Sequence, residues 1–347
     1  MIQITSKELN NREPIRFGEQ TGTLDLYDGL TTPFSSDVVV LTEDHISQIE
    51  DFVELSAANY SNEATLVQLQ YGLPSLVTRV DCTVGVDGNI LPYEMEDSPS
   101  GQGITDVLHK AAGAPGLKQI LLGHFEDMLD TVPTVIVSNS RSHGTDDALI
   151  VGEDRYVNIG HNPDEIRTDS PVVVKAIPGR IDSREPYMRL RSQAVAPLVT
   201  EGDKLYAERI GLLRSVSSAA DLLRDGDNLS SQVVKARLGS MALGVSIYLS
   251  AEDRKRFGKS GTVTASRLER DLEAYKEHSG ALVQEFIPPI QIENDQDRTN
   301  AILRVFTLLG RQQGKITARA IGGCYVARNE VLLHGASNAV SGAILVQ

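Results

Sequence analysis

Residues 76–96 leave a folding chain little choice. Leu76–Val86 (LVTRVDCTVGV) alternates like a strand, Asp87-Gly88-Asn89 is a strong tight-turn signal, and Ile90–Glu96 (ILPYEME) returns as a second strand. The expected unit is a β-hairpin. Period-two alternation puts Arg79 and Asp81 on one face, and Glu94 and Glu96 on one face of the partner strand. Closing the hairpin brings Asp81 beside Glu94 and Glu96. Carboxylates gathered this way repel one another unless a cation sits between them. Hard oxygen ligands suit Mg²⁺ or Mn²⁺ carrying nucleotide phosphates. The same pattern also fits a hairpin's polar outer face, with Arg79 and Asp81 as an ordinary surface pair.

A second stretch, Val233–Leu249 (VVKARLGSMALGVSIYL), reads as strand, flexible loop and strand. Lys235 supplies a point charge, and Gly239 and Gly244 let backbone N–H groups approach phosphate oxygens. Taken alone, the stretch is better accounted for by a hairpin with a snorkelling lysine. Ala281–Ile287 (ALVQEFI) is an apolar strand interrupted by Gln284-Glu285. Such a strand suits an adenine pocket with a carboxylate for the ribose hydroxyls, or an edge strand with its polar residues outward. Ile302–Leu309 (ILRVFTLL) and Ile316–Val326 (ITARAIGGCYV) are strong strands, with Arg304 embedded in the first and Arg328 following the second. A buried arginine needs an anionic partner. Arg304 and Arg328 on neighbouring strands would find one in a phosphate.

Elsewhere, Thr42 or Asp44 caps an expected helix through His45–Tyr60. The loop Asp97–Gly103, with Ser98 and Ser100, leads to a helix starting near Thr105. There, hydroxyls and backbone N–H groups suit a carboxylate or phosphate, or simply cap the helix. Leu117–Leu129 and Thr264–His278 read as amphipathic helices, and Thr134–Val137, Ala148–Val151 and Val172–Lys175 as short strands. Residues 195–225 read as largely helical, with Lys204 near a helix start, Ala251–Lys259 as a charged loop, and His334–Gly342 as a small-residue loop. The alternation predicts an α+β (mixed α/β) protein. Gly258-Lys259-Ser260 is not a P-loop, because no glycine stands five residues before Gly258 and no apolar strand precedes it.

The formal net charge of −14 argues against a general nucleic-acid or anionic-membrane surface, and leaves room for a local basic pocket. Two cysteines, Cys82 and Cys324, make no disulfide framework and no thiolate zinc cluster. With neither a signal-peptide core nor an apolar run of membrane-spanning length, the expected compartment is the cytoplasm.

In their order along the chain, these pieces resemble an ATP-grasp fold. The Lys235 strand and loop resemble its lid, the Gln284-Glu285 strand its adenine hinge, and Arg304, Arg328 and Asn338–Gly342 its phosphate and metal end. The acidic hairpin comes before the lid, a circularly permuted order similar to that of glutathionylspermidine synthase-like ligases. Eukaryotic glutathione synthetase is also permuted. Glu94-Met95-Glu96-Asp97-Ser98-Pro99-Ser100 resembles the former family's Glu-x-Asn and Asp-hydroxyl-Pro-hydroxyl motifs. Asp146-Asp147, Val174–Pro178 and Gly202–Leu205 resemble three further segments, so the likeness runs from about residue 75 to the end. Two departures stand out. Leu238 occupies the place of a metal-binding lid glutamate, and Glu96 that of an asparagine. A swap of that kind keeps the carboxylate count.

The resemblance implies an ATP-dependent carboxylate–amine ligase working through an acylphosphate. Lys204 and Lys235 would hold phosphates, with Gly239, Gln284, Glu285 and Asn338 also on the nucleotide. Asp81, Glu94 and Glu96 would bind the metal. Arg79, Arg304 and Arg328 would be catalytic, and Ser98 and Ser100 would bind the carboxylate substrate. The expected partners are a small-molecule or peptide carboxylate and an amine acceptor, with a homodimer compatible and neither nucleic acid nor membrane involved. The implied organisation is an N-terminal region (1–72), a hairpin and substrate region (73–200), a lid (201–280) and C-terminal core strands (281–347). A phosphotransferase on the same fold and a decayed nucleotide-binding scaffold are the alternatives.

Overall fold

The computed structural model describes residues 2–3, 20–27, 30–60, 77–96, 99, 101–121, 134–137, 156–158, 172–175, 194–196, 214–216, 218–236, 244–278, 280–293, 298–331 and 339–346. Four strands open the chain: β1 (Ile2–Gln3), β2 (Gly22–Tyr27), β3 (Leu30–Phe34) and β4 (Val39–Leu41). Helix α1 (Glu43–Tyr60) follows, and of the two expected caps, Thr42 and Asp44, it is Thr42 whose Oγ1 accepts the His45 N–H at 3.1 Å. Ile49, Val53 and Ala57, spaced four apart, are fully buried. Burying a side chain such as Ile or Val contributes roughly 1.5–3 kcal/mol.

The hairpin forms as β5 (Val77–Val84) and β6 (Ile90–Glu96). Its turn is closed by Gly85 N–H to Asn89 O at 2.8 Å, with Gly88 at φ 84°. The Asp87 carboxyl at the turn accepts bonds from the Asn89 backbone and side chain, which hold it below its ordinary range. Helix α2 (Gln102–Ala111) begins three residues before the expected Thr105, directly after Gly101 at φ 94°.

Four short strands come next: β7 (Thr134–Val137), β8 (Tyr156–Asn158), β9 (Val172–Lys175) and β10 (Ala194–Ala196). They pair in parallel in the order β10-β9-β7-β8. Strand β11 (Arg214–Val216), a 3₁₀ turn at Ala219–Asp221 and the small hairpin β12 (Arg224–Asp225)–β13 (Asn228–Leu229) then appear. The described parts of 195–225 are thus extended or turn-like, a correction to the helix expected there. Backbone pairing of β11 to another strand overrides its helical propensity.

Strands β14 (Gln232–Ala236) and β15 (Val245–Tyr248) form the second predicted hairpin. The charged stretch after it is helix α3 (Ala251–Phe257), not a loop. Ser250 Oγ accepts the Asp253 N–H at 3.2 Å, acidic and basic residues occupy the first and last turns respectively, and Gly258 ends the helix. Helix α4 (Ala265–His278), then β16 (Ala281–Glu285), β17 (Ile290–Glu293), β18 (Arg298–Gln312), β19 (Lys315–Arg328) and β20 (Val340–Val346) complete the order. Val340–Gly342, expected in a loop, lies in β20. Its small residues answer to packing, since a Cβ at Gly342 would run into the Tyr325 ring.

The result is a mixed α/β protein. Its largest sheet has ten strands in the order β1-β4-β20-β19-β18-β5-β6, with β17 added to β18 and the β2–β3 pair joined to β20. Helix α1 packs on one face and α2 on the other. Pairing with β20 covers only residues 323–327 of β19. Farther along β19, the Ala318 and Ala320 N–H groups donate instead to Glu54 and Glu50 of α1, at 2.9 and 2.8 Å. A second, antiparallel sheet runs β11-β16-β14-β15, with α4 covering one face.

Candidate functional site

Strand register sets the first half of the site. Arg304 of β18 lies opposite Cys324 of β19 on one side and Asp81 of β5 on the other, and Asp81 lies opposite Glu94 of β6. Directly opposed residues share a face, so Cys324, Arg304, Asp81 and Glu94 form one polar row across the sheet. One step along, Phe306, Arg79 and Glu96 form the next row. Val80 and Cys82, which alternate with these residues, are buried on the opposite face.

Arg79 and Asp81 are not a surface pair: they are only 3% and 6% exposed. Arg79 donates from Nε to Asp81 Oδ1 at 2.7 Å and from a terminal nitrogen to Oδ2 at 3.1 Å. Arg304 approaches the same carboxylate, Nε to Oδ2, at 3.4 Å, yet its buried Nε makes no hydrogen bond. Two guanidinium groups therefore share one carboxylate. Burial raises the Cys324 thiol above its ordinary range, while Arg304 and a bond with Thr105 of α2 pull the other way. Burial, reinforced by Asp81, also raises Cys82. Both cysteines are neutral thiols and not nucleophiles at ordinary pH.

The second half lies on the antiparallel sheet. Val233 and Lys235 share a face with Ile247 and Val245 of β15 and with Gln284 and Leu282 of β16. The other face, with Val234, Ala281 and Val283, packs on Leu268 and Leu272 of α4. On the Lys235 face, Val233, Val245 and Ile247 meet Phe257 of α3, Phe286 and Val331. Lys235 is only 6% exposed, and among the described residues its ammonium has neither an ion pair nor a side-chain hydrogen bond. Unlike Arg304 Nε, this ammonium is not sealed from solvent, and a cation so confined is placed to meet an anion entering that face.

Residues 286–289 carry the chain from β16 in this sheet to β17 in the large one. Phe286 N–H donates to Ser231 O at 3.1 Å, and Pro288 and Pro289 have no N–H, so Ile287 holds the amide donor left in this connection. Helix α3 ties the two sheets further. Asn300 of β18 donates to Phe257 O at 3.2 Å and Glu330 O at 3.3 Å, and Gln291 of β17 donates to Arg256 O at 2.7 Å.

No family model and no curated protein matches the sequence. Among solved structures, a protein described as a gamma-glutamylcysteine synthetase from Methylobacillus flagellatus KT superposes with a TM-score of 0.38 at 11% identity, over 84% of this chain and 82% of that one. A superposition that loose carries no argument about fold or chemistry.

The structure thus brings Arg79, Asp81, Arg304 and Glu94 together, and puts Lys235 and Gln284 on one face of the other sheet. Glu285 ends β16 and is exposed. Arg328 stands apart from the polar row: opposite Asn300, it lies four residues from Cys324 along β19, about 13 Å, and its partner is Glu330 at 2.7 Å. Each arginine has a carboxylate near it within the chain, Asp81 for Arg304 and Glu330 for Arg328, yet the Nε of each makes no hydrogen bond. Lys204, Gly239, Asn338, Ser98 and Ser100 lie outside the described residues, as does the Glu96 side chain. Among the described residues no group of three His, Cys, Asp or Glu side chains is arranged around a common point. Asn300 and Ile287 were missed. An asparagine amid Ala and Ile in a strand was the available signal for the first, and the Pro-Pro pair for the second.

Proposed function

We propose that the chain is an ATP-dependent carboxylate–amine ligase built on a permuted ATP-grasp arrangement. The observation that carries this reading is Lys235, 6% exposed and, among the described residues, without a counter-ion on the sheet face that meets Phe286 and Val331. It is supported by the connection from β16 to β17, which gives a nucleobase a donor at Ile287, and by the arginine row on the neighbouring sheet. In this reading Lys235 takes a phosphate oxygen of the nucleotide and Ile287 N–H donates to the base edge, with Gln284 and Glu285 flanking it. Arg79 and Arg304 meet the phosphoryl group in transfer.

The implied divalent cation would have to draw Asp81 away from Arg79 and Arg304. Asp81 and Glu94 oppose each other directly, and Mg²⁺ is commonly held by one or two carboxylates together with substrate phosphates. Bound there, it would neutralise charge on the phosphate oxygens. Glu96, in the next row, is the third candidate. Lys204, Gly239 and Asn338 complete the proposed nucleotide contacts, and Ser98 and Ser100 the proposed carboxylate contacts.

A carboxylate oxygen attacks the terminal phosphorus as the bond to the ADP oxygen breaks, giving an acylphosphate. An amine nitrogen then attacks the acyl carbon, phosphate leaves, and the amine loses a proton to give the amide. Positioning and charge neutralisation suffice for the phosphoryl step, so no protein nucleophile is required. The test is ADP release across pools of amino acids, peptides and polyamines, with mass spectrometry for an amide and inorganic phosphate. A wild-type protein that binds no ADP in the presence of Mg²⁺ refutes the reading. A second reading, a nucleotide-binding scaffold without turnover, is favoured by Leu238 in the lid. ADP binding without ADP production from any pool would select it.

A further inference from the structure

We infer that Asn300 is a positioning residue: its side-chain amide holds helix α3, and with it the second sheet, at a fixed place on the large sheet, so that the Lys235 face stays in reach of Arg79 and Arg304. The inference rests on the nucleotide reading above and adds to it the joint that keeps the two halves of the site together.

Helix α3 is anchored to a different sheet at each end. Its first turn belongs to the second sheet. Ser231, immediately before β14, donates from Oγ to the Asp253 carboxylate at 2.5 Å and accepts the Ser250 N–H at 2.7 Å. Arg254 donates to the Leu249 carbonyl, just past β15, at 3.0 Å. Its last turn belongs to the large sheet. A helix leaves its final carbonyls without partners inside itself. Here Gln291 of β17 donates to Arg256 O at 2.7 Å, and Asn300 of β18 to Phe257 O at 3.2 Å. Beyond the helix, Ser260 O accepts the Val331 N–H at 3.1 Å.

The Gln291 bond is exposed, whereas Asn300 is buried. The Asn300 amide nitrogen donates a second bond, to Glu330 O at 3.3 Å. Both acceptors are carbonyl oxygens, so both of its N–H groups are spent and the amide can point only one way. Glu330 in turn pairs with Arg328, the residue opposite Asn300 on β19. One side chain thus joins β18, α3 and the chain after β19. Asparagine is disfavoured in strands, and a β-branched residue in its place would give up both bonds. The groups assigned to base and phosphate, Ile287 and Lys235, adjoin the second sheet, and those assigned to transfer lie on the large one. Their separation is therefore set by this joint.

The test is Asn300→Leu, which keeps the approximate shape and removes the donors. Spin labels on Leu55→Cys of α1 and Ala274→Cys of α4, both exposed positions, read the distance between the sheets by double electron–electron resonance; the native Cys82 and Cys324 are buried. N300L is expected to broaden the ligand-free distance distribution of the wild type. Its MgADP affinity by titration is expected to stay within about twofold, since Lys235 and Ile287 lie on one side of the joint. Its ADP production is expected to fall by roughly a hundredfold for a displacement of about 1 Å. A residue that serves stability alone would lower the melting temperature and leave the distribution of the folded protein as it was. A folded N300L with the wild-type distribution overturns the inference, and so does an ADP affinity that falls in step with turnover. Should N300L fail to fold, Gln291→Met loosens the same joint at its exposed end and is expected to broaden the distribution to a smaller extent; an unchanged distribution in that variant overturns the inference. A wild type that binds no MgADP refutes the nucleotide reading, while the distances still decide whether Asn300 holds the joint.

Discussion

Lys235→Met gives the sharpest test of the reading, because it should make the empty protein more stable and the ligand useless. Methionine follows the lysine stem closely in length and brings no charge. Lys235 is 6% exposed and has no anion among the described residues, so the substitution removes a partial desolvation penalty without removing a described partner. The effective penalty for a buried ion is several kcal/mol; with part of it relieved by residual solvent contact, the gain should be about 1–3 kcal/mol. At about 2.1 cal/mol/K per residue, the unfolding entropy of a chain this long is near 0.7 kcal/mol/K. If the chain melts as one unit, the ligand-free melting temperature therefore rises by about 1.5–4 °C. The wild type at a hundredfold excess of MgADP over Kd should gain about 2.7 kcal/mol, a shift of about 4 °C that K235M should lose. Differential scanning calorimetry with and without MgADP measures both. A ligand-free K235M that melts below the wild type would mean that the ammonium is already satisfied, and the central argument would fall.

Ile287→Pro removes the remaining amide donor of the inter-sheet connection and should weaken ADP binding about tenfold by titration, the loss of one hydrogen bond; unchanged affinity would remove Ile287 from the base-reading role. Glu54→Ala leaves the Ala318 N–H without its acceptor and should cost about 1–3 kcal/mol in urea unfolding, with Glu50→Ala behaving alike at Ala320. Burial raises both thiols above their ordinary 9.0 and Tyr325 above its ordinary 10.0. These groups stay protonated when folded but ionise when unfolded, so their stabilising contribution is complete below pH 9 and declines as pH rises beyond it. The urea midpoint should accordingly fall steadily above pH 9, and a thiol reagent at pH 8 should label neither cysteine until the protein unfolds.

Local signals were legible where they were strong and complete in themselves. Asp87-Gly88-Asn89 located the turn, and alternation brought Asp81 beside Glu94 and Glu96, of which the register sets Glu94 opposite it. Thr42 gave the start of α1. The depth of that hairpin was not legible. Whether Arg79 and Asp81 face water depends on β18 and α2, which are distant in sequence. The Arg304–Asp81 contact is likewise a product of register between strands more than 200 positions apart. Helix α3 escaped notice because seven residues show too little periodicity, although Ser250 and Gly258 mark its ends. Strand β20 was hidden by Ser341, Gly342 and Ala343, small residues whose reason is the Tyr325 ring beside them.

The contact between α1 and β19 works because two different repeats nearly coincide. Glu50 and Glu54 are one helical turn apart, about 6.0 Å along the axis. Ala318 and Ala320 are two strand residues apart, about 6.6 Å. Carboxylates at the helical interval can therefore read amides at the strand interval, and they do so for one pair before the repeats drift out of step. The outer half of β19 thereby acquires acceptors without acquiring a strand. Its amides are occupied, and the acids that occupy them repel further acceptors. That stretch of edge cannot template another chain, and a one-residue slip of β19 would present carbonyls to the two carboxylates. The helix thus fixes the register of a strand it does not pair with, and it ends the sheet at the same place.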